Sequence, residues 1–244
     1  MEEYYQLFQG DCLEVMKQIS DKSIDMILCD LPFATTKNKW DSTIDLKLLW
    51  YQYERIIKDN GAIVLFAQIP FNIALGSSNL KLLKYEWIWE KEQGTGFLNA
   101  KKMPLKSHEN IMVFYKKLPT YNPQMDGDEI RKIKRKNIPQ TTSNYGFSMQ
   151  PVESEYCGRY PKTVLKFGRD KQKLHPTQKP VALLEYLIKT YTNENEIVLD
   201  NCMGSGSTGV ACLNTNRKFI GIELNEKYFE IAKNRIEESL LKED

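Results

Sequence analysis

Apolar residues in this 244-residue chain follow two rhythms that alternate along its length. Continuous apolar runs such as "DMILCD" (25–30) and "AIVLFA" (62–67) have the length of strands and lack polar alternate positions, as expected for strands covered on both faces. "YYQLF" (4–8), "YEWIWEK" (85–91), "NIMVFYK" (110–116), "EIVLD" (196–200) and "KFIGIEL" (218–224) read as further strands. Between them, apolar positions recur at helical spacing over 12–19, 45–58, 180–191, 207–214 and 225–239. Asn60-Gly61 reads as the stop of the second helix, and Pro180 sits at the first turn of a later one. Alternating strands and helices predict an α/β fold with a mainly parallel, doubly wound sheet. From 116 to about 173 the rhythm dissolves into a polar stretch rich in Tyr, Asn, Pro and Thr, which in a compact domain is functional or disordered. The length allows one sizeable core with a small appended lobe.

Charge changes this picture more than bulk composition does. The net charge is +2, but residues 131–179 hold twelve Lys/Arg against three acids (Glu153, Glu155, Asp170), so +9 sits on a remainder of −7. A basic block on a mildly acidic body predicts a polyanionic partner at one face. Five scattered cysteines (Cys12, Cys29, Cys157, Cys202, Cys212) form no Cys-x-x-Cys pair, which argues for reduced thiols and against a zinc site. With two histidines, an imidazole-rich metal centre is not expected. No apolar stretch approaches the ~18 residues of a membrane span. The acidic N-terminus lacks an export signal, so a cytoplasmic location is expected.

Two strand ends carry candidate chemistry. In "VLDNCMGSGSTGVA" (198–211), Gly204, Gly206 and Gly209 satisfy G-x-G-x-x-G between a strand and a helix. That spacing suits a ligand approaching the backbone, and also suits a plain tight turn. The next strand ends on Glu223, placed to accept from ribose hydroxyls or to cap a helix. Together they indicate an adenosine-containing cofactor. Asp11 also follows a strand, where helix capping is the simpler reading.

The other strand end is "DLPF", Asp30 to Phe33. The exocyclic amine of adenine or cytosine is a poor nucleophile because its lone pair is delocalised into the ring. A carboxylate and a backbone carbonyl accepting its two N–H bonds would localise that lone pair and stabilise positive charge developing on nitrogen. A proline would fix the turn, and an aromatic ring would stack on a base flipped out of the duplex. Asp30, the Leu31 carbonyl, Pro32 and Phe33 supply those parts in order, although a plain turn has the same residue types.

These segments resemble a known family. "DLPF" is similar to the Asp-Pro-Pro-Tyr motif of S-adenosyl-L-methionine-dependent DNA amino-methyltransferases. "LDNCMGSGSTGVA" resembles their cofactor loop, and "HPTQKPVALLEYLI" (175–188) the segment preceding it. The order of motifs is that of the circularly permuted beta type, and the resemblance covers about 1–115 and 173–240. It implies a Rossmann-like methyltransferase fold made of a catalytic half (1–115), a variable target-recognition region (116–173) and a cofactor-binding half (174–244). It implies that S-adenosyl-L-methionine contacts Asp11, Lys179, Asp200, Cys202, Gly204, Ser205, Gly206 and Glu223. It also implies that the loop 34–41 lies over the flipped base. "SHENIMVFYK" (107–116) fits a family strand in which His108 is structural. Leu31 replaces the family's first proline, and Cys202 its usual Phe.

The expected activity is methyl transfer to adenine N6 in double-stranded DNA, with cytosine N4 as the alternative. "RKIKRK" would track phosphates through Arg131, Lys132, Lys134, Arg135 and Lys136, or form a solvated charged loop. Tyr145, Phe147, Tyr156 and Tyr160 suit either a small core or base stacking. A non-catalytic DNA-binding subunit would keep the fold. A nicotinamide-dependent oxidoreductase would share only the glycine loop. A homodimer and a cognate restriction enzyme stay open as partners, and neither metal nor membrane is expected.

Overall fold

The computed structural model describes residues 4–32, 44–134, 153–170 and 178–241. In chain order they form β1 (Tyr5–Gln9), α1 (Cys12–Val15) continued by a 3-10 turn, β2 (Ile24–Asp30), α2 (Leu46–Ile56), β3 (Ile57–Ala67) and α3 (Phe71–Ser78). Next come β4 (Leu83–Thr95), β5 (Lys106–Phe114), β6 (Asp126–Lys134), β7 (Glu153–Arg159) and β8 (Val164–Lys166). The last elements are α4 (Val181–Tyr191), β9 (Ile197–Asp200), α5 (Ser207–Leu213), β10 (Lys218–Glu223) and α6 (Glu226–Leu240). One compact unit comprises Met1–Asn122 with Thr163–Asp244; the other is Pro123–Lys162.

The larger unit holds an eight-stranded sheet in the order β1-β10-β9-β2-β3-β5-β4-β8. Every neighbouring pair is parallel except those made by β5, which runs against both β3 and β4. The expected mainly parallel sheet is present, and its strands sort their side chains by twos. Met26 and Leu28 of β2, with Ala62, Val64 and Phe66 of β3, face one core built on α4, α5 and α6. Ile27, Cys29, Ile63, Leu65 and Ala67 face a second core built on α1, α2 and α3. The aperiodic reading of 116–173 missed β6 and β7, whose residues are mostly polar, and β8, which at three residues is too short to show a rhythm yet extends the sheet edge beside β4.

Polar groups pin the layers where apolar packing alone is indifferent to small slides. The Tyr191 hydroxyl of α4 accepts from Trp87 Nε1 at 2.7 Å and shares a 2.7 Å hydrogen bond with Tyr85, fixing α4 on β4. Asp25 of β2 accepts from Lys58 at 2.6 Å and from the Ile197 amide at 3.0 Å, joining three strands. Buried Arg217 is satisfied by neutral oxygens of Thr192 and Thr215.

The helix stop expected at Asn60-Gly61 lies elsewhere. α2 ends at Ile56, and Ile57, whose amide still donates to the Tyr53 carbonyl, is already the first residue of β3. Gly61 is inside β3, where its pairing with β2 shifts register. What it supplies is space, since a Cβ there would stand 2.7 Å from both the Asp25 carbonyl and the Ile57 side chain. In the smaller unit, β6 and β7 pair antiparallel, with Arg131 opposite Tyr156 and Lys132 opposite Glu155. Tyr156 and Tyr160 pack with ring centroids 5.4 Å apart and planes tilted by 44° in that unit.

Gly61→Ala is therefore expected to destabilise the protein by about 2 kcal/mol through overpacking against backbone that cannot yield. The check is a lower denaturant midpoint at unchanged m-value. A wild-type midpoint would show that β2 and β3 separate there without cost.

Candidate active site

β2 ends on Asp30 at the carboxyl edge of the sheet, and strand register brings the rest of a charged cluster to it. Asp30 pairs with Phe66, Phe66 with Ile111, and Ile111 with Trp87. Two residues nearer the edge on β5 is Glu109, and four residues along β4 from Trp87 is Lys91. The period of two puts Asp30, Glu109 and Lys91, with Phe66, on the face that α4 covers. Lys179, immediately before Pro180 and α4, drops its ammonium between the carboxylates. Its side chain is 7% exposed, and it hydrogen-bonds Asp30 Oδ2 and lies 3.3 Å from Glu109 Oε2. It also stands over the Phe66 ring, 5.0 Å from the centroid. Lys91 Nζ reaches Glu109 Oε1 at 2.5 Å, and Gln68 donates to the same oxygen at 3.2 Å.

Two ammoniums thus face two carboxylates, which is what makes their burial tolerable. Burial pushes the Glu109 carboxyl up, but Lys179 and Lys91 outweigh it and hold Glu109 below its usual range. Burial also raises Asp30, and there it prevails over the opposing pull of Lys179. Lys179 keeps its proton because the two carboxylates overcome its desolvation. Asp30 Oδ1 is buried and has no hydrogen-bond partner among the described residues.

Leu31 follows with its side chain in the α1–α2 core, 2% exposed. The change from the family's proline is therefore filled by packing. Pro32 is half-buried beside it. Phe33 and the expected covering loop 34–41 lie outside the described residues. Lys179, expected at the edge of the cofactor pocket, has its ammonium committed to Asp30 and Glu109.

The glycine loop joins β9 to α5. Asp200 organises it, accepting from the Cys202 amide at 3.1 Å and from the Thr208 hydroxyl at 2.6 Å. Gly204 and Gly206 both have left-handed backbone, at φ 52° and 77°. A Cβ on Gly206 would press on Ala232 of α6 at 3.0 Å, whereas one on Gly204 would meet nothing within 4 Å. Gly206 is needed for packing; Gly204 leaves its backbone open to an approaching ligand, as a cofactor cradle requires. Ser205 is buried, with its carbonyl accepting from Arg235 at 3.2 Å. Cys202 is half-buried, its sulfur accepting from Asn201 Nδ2 at 3.5 Å, while Asn201 Oδ1 accepts from the Tyr53 hydroxyl at 2.6 Å.

Glu223 ends β10 and accepts from the Gly204 amide at 2.9 Å and the Asn225 amide at 2.8 Å. A carboxylate has about four acceptor positions, so capacity for a ribose hydroxyl remains. Asp11 caps α1, accepting from Leu13 at 2.8 Å. In the smaller unit, Arg131 pairs with Glu129 at 3.0 Å and Lys132 with Glu155 at 3.1 Å. Lys134 is the last residue of β6, while Arg135, Lys136, Tyr145 and Phe147 lie outside the described residues. His108 pairs with Glu90 across β5 and β4, away from the charged cluster's buried face. Among the described residues no group of three His, Cys, Asp or Glu is arranged to hold a metal, and no helix is long and apolar enough to cross a membrane.

Sequence reasoning passed over Glu109 and Lys91. The signal was present: each interrupts an apolar alternation (Glu109-Ile111-Val113 and Trp87-Trp89-Lys91) at a position facing the core.

Burial raises Asp200 to about 6, against the hydrogen bonds from Thr208 and Cys202 that lower it. A carboxyl whose folded pKa is raised stabilises the fold at pH below about 4 and loses that contribution as pH rises through 6. The span is worth about 3 kcal/mol at ~1.4 kcal/mol per unit. Asp200→Asn is expected to flatten the pH dependence of the unfolding free energy between pH 4 and 7. An unchanged profile would place the titration elsewhere.

Comparison with known proteins gives the family. A family model described as DNA methylase matches residues 24–234. Type II methyltransferase M.HpaI of Haemophilus parainfluenzae is 29% identical over 95% of this chain and 74% of its own length. DNA adenine methyltransferase YhdJ of Escherichia coli is also 29% identical, over 95% of this chain and 82% of its own. The crystal structure of an M1.HpyAVI-SAM complex superposes with TM-score 0.65 at 26% identity, covering 95% of this chain and 99% of that one. The cytosine-N4-specific PvuII DNA methyltransferase shares the fold, with TM-score 0.68 at 16% identity over 97% of this chain and 91% of that one. With the family model matched from the second strand into the last helix, this chain belongs to the N6/N4 DNA methylase family.

Proposed function

We propose that the chain transfers a methyl group from S-adenosyl-L-methionine to adenine N6 in double-stranded DNA, with the base flipped out of the stack. The observation that carries the chemistry is the asymmetry of Asp30: Lys179 occupies Oδ2, and Oδ1 is buried without a partner among the described residues. Such an oxygen suits one N–H of an exocyclic amine. The carbonyl of Leu31, its side chain anchored in the core, accepts the other. Together they localise the nitrogen lone pair and stabilise the charge that develops as the N–C bond forms. The elevated pKa of Asp30 equips Oδ1 to take up the proton the nitrogen then loses. Pro32 fixes the turn and Phe33 stacks on the base.

S-adenosyl-L-methionine supplies the methyl on a positively charged sulfonium, whose sulfur leaves as a neutral thioether. The open backbone at Gly204, with Ser205 and Gly206, fits such a group. Glu223 would hold its ribose, Asp11 its adenine, and Asp200 and Cys202 the walls of the pocket. The likeness to a protein crystallised as a SAM complex supports the assignment, as the adenine name of one relative supports the base. Residues 116–173 serve as the target-recognition region between the catalytic half (1–115) and the cofactor-binding half (174–244). There Arg131, Lys132, Lys134, Arg135 and Lys136 track phosphates. The carboxylates of Glu129 and Glu155 in these pairs are exposed, which weakens them, so exchange for phosphate is easy.

The test is transfer of labelled methyl to unmethylated plasmid DNA, followed by nucleoside analysis. N6-methyladenine is expected; N4-methylcytosine would overturn the base, and no product would overturn the activity. Asp30→Asn should lower kcat by about a hundredfold or more, with cofactor affinity kept. Near-wild-type turnover would remove Asp30 from the chemistry. Lys179→Met takes away the charge that opposes protonation of Asp30, so the acid limb of kcat should move to higher pH. A limb that stays in place would mean that Asp30 does not govern it.

A further inference from the structure

The β4–β5 turn carries an exposed apolar tip that the site described above does not use. Phe97 is 81% and Leu98 99% exposed, with Met103 and Leu105 also exposed. Residues 94–107 contain no acid and three lysines, Lys101, Lys102 and Lys106, all exposed and none paired with a carboxylate among the described residues. The tip is ordered by its own backbone. Asn99 donates to Gly96 at 2.9 Å, Ala100 to Phe97 at 3.0 Å, Lys102 to Asn99 at 2.8 Å and Met103 to Asn99 at 3.0 Å. Gly96 makes the turn at φ 91°.

Its position follows from strand direction. β5 is antiparallel to β3, so its first residues stand at the edge where β2 and β3 finish. Lys106 is five residues beyond Ile111, which is level with Asp30 through Phe66. At ~3.3 Å per residue the tip rises ~17 Å past the catalytic carboxylate. A duplex that delivers a flipped base to Asp30 lies over the same edge. An apolar cluster left in water there needs a partner that is both apolar and anionic. DNA with an opened base step offers a stacking surface framed by phosphates.

We propose that the β4–β5 turn is a second DNA-binding element, in which Phe97 and Leu98 wedge against the base step opened by flipping while Lys101 and Lys102 hold adjacent phosphates. This rests on the DNA methyl-transfer reading and adds a contact outside residues 116–173.

The experiment compares wild type, Phe97→Ser/Leu98→Ser and Lys101→Ala/Lys102→Ala in methyl transfer to unmethylated plasmid DNA across a salt series. The exposed substitutions leave the core untouched, and cofactor affinity serves as the folding control. The apolar pair is expected to raise the KM for DNA about tenfold or more, the scale of a lost stacking contact, without changing the salt slope. The lysine pair should reduce that slope by about 2, as two phosphate contacts disappear. Wild-type DNA kinetics in both variants would overturn the proposal while leaving the enzyme reading intact. A shift from oligomer to monomer in the apolar variant with unaltered DNA kinetics would also overturn it, making the tip a contact between copies. Inactive wild type would instead defeat the underlying activity.

Discussion

A single buried ammonium sets the geometry of this protein's catalytic edge. Lys179 arrives just before α4, touches Asp30 of β2 and Glu109 of β5, and rests over Phe66 of β3. Removing one member of such a cluster leaves an uncompensated charge in an apolar surrounding, at a cost on the order of 3–5 kcal/mol. The ends of three strands and the start of one helix are therefore held in one arrangement. The Tyr191–Trp87–Tyr85 hydroxyl and indole contacts serve it from a distance, because they stop α4 sliding and so fix where Lys179 enters. Asp170 completes the support: it accepts from the Val181 amide at 3.2 Å and from Gln178 at 2.9 Å, capping α4 where Pro180 offers no side-chain oxygen.

The cofactor loop is held by a different economy of contacts. Asp200 ties it to the first turn of α5 and Glu223 ties it to β10, so each strand-end acid closes the loop before any ligand arrives. The two glycines divide the labour, one for close packing on α6 and one for an open backbone. The thiols behind the loop are passive: burial lifts Cys29 to about 12, and no disulfide forms among the described residues. Cys202, where the resembled loop carries Phe, is likewise held well above the usual thiol range, with Cys29 and burial raising it, so the change adds no nucleophile.

Much of the fold was legible in the chain. Strands covered on both faces leave unbroken apolar runs, and the strand–glycine–helix order of 196–214 shows in the residues themselves. Asp30 and Glu223 could be found because each ends a run of that kind. Glu109 and Lys91 were hidden because their partnership depends on which strands become neighbours, and the antiparallel entry of β5 between β3 and β4 is not written in either strand alone. Lys179 was visible as part of a motif, but its partners are 149 and 70 positions away in sequence. Gly61 misled for a related reason. A glycine that frees space between two strands has the same letter as one that ends a helix. β8 is a strand by virtue of its neighbour β4, not of its own three residues.

The reversed direction of β5 has an evolutionary consequence. Were it parallel, the edge bearing Asp30 would receive a strand end and a long crossover, and any change of length there would disturb a helix packed below. As built, the chain reaches over that edge and returns by a hairpin, whose length can change by paired residues while Glu109 and Lys91 keep their faces. The rim of the site is consequently modular. Descendants of this fold can remodel what stands above the reaction centre, by insertion or deletion, without re-deriving the charges beneath it.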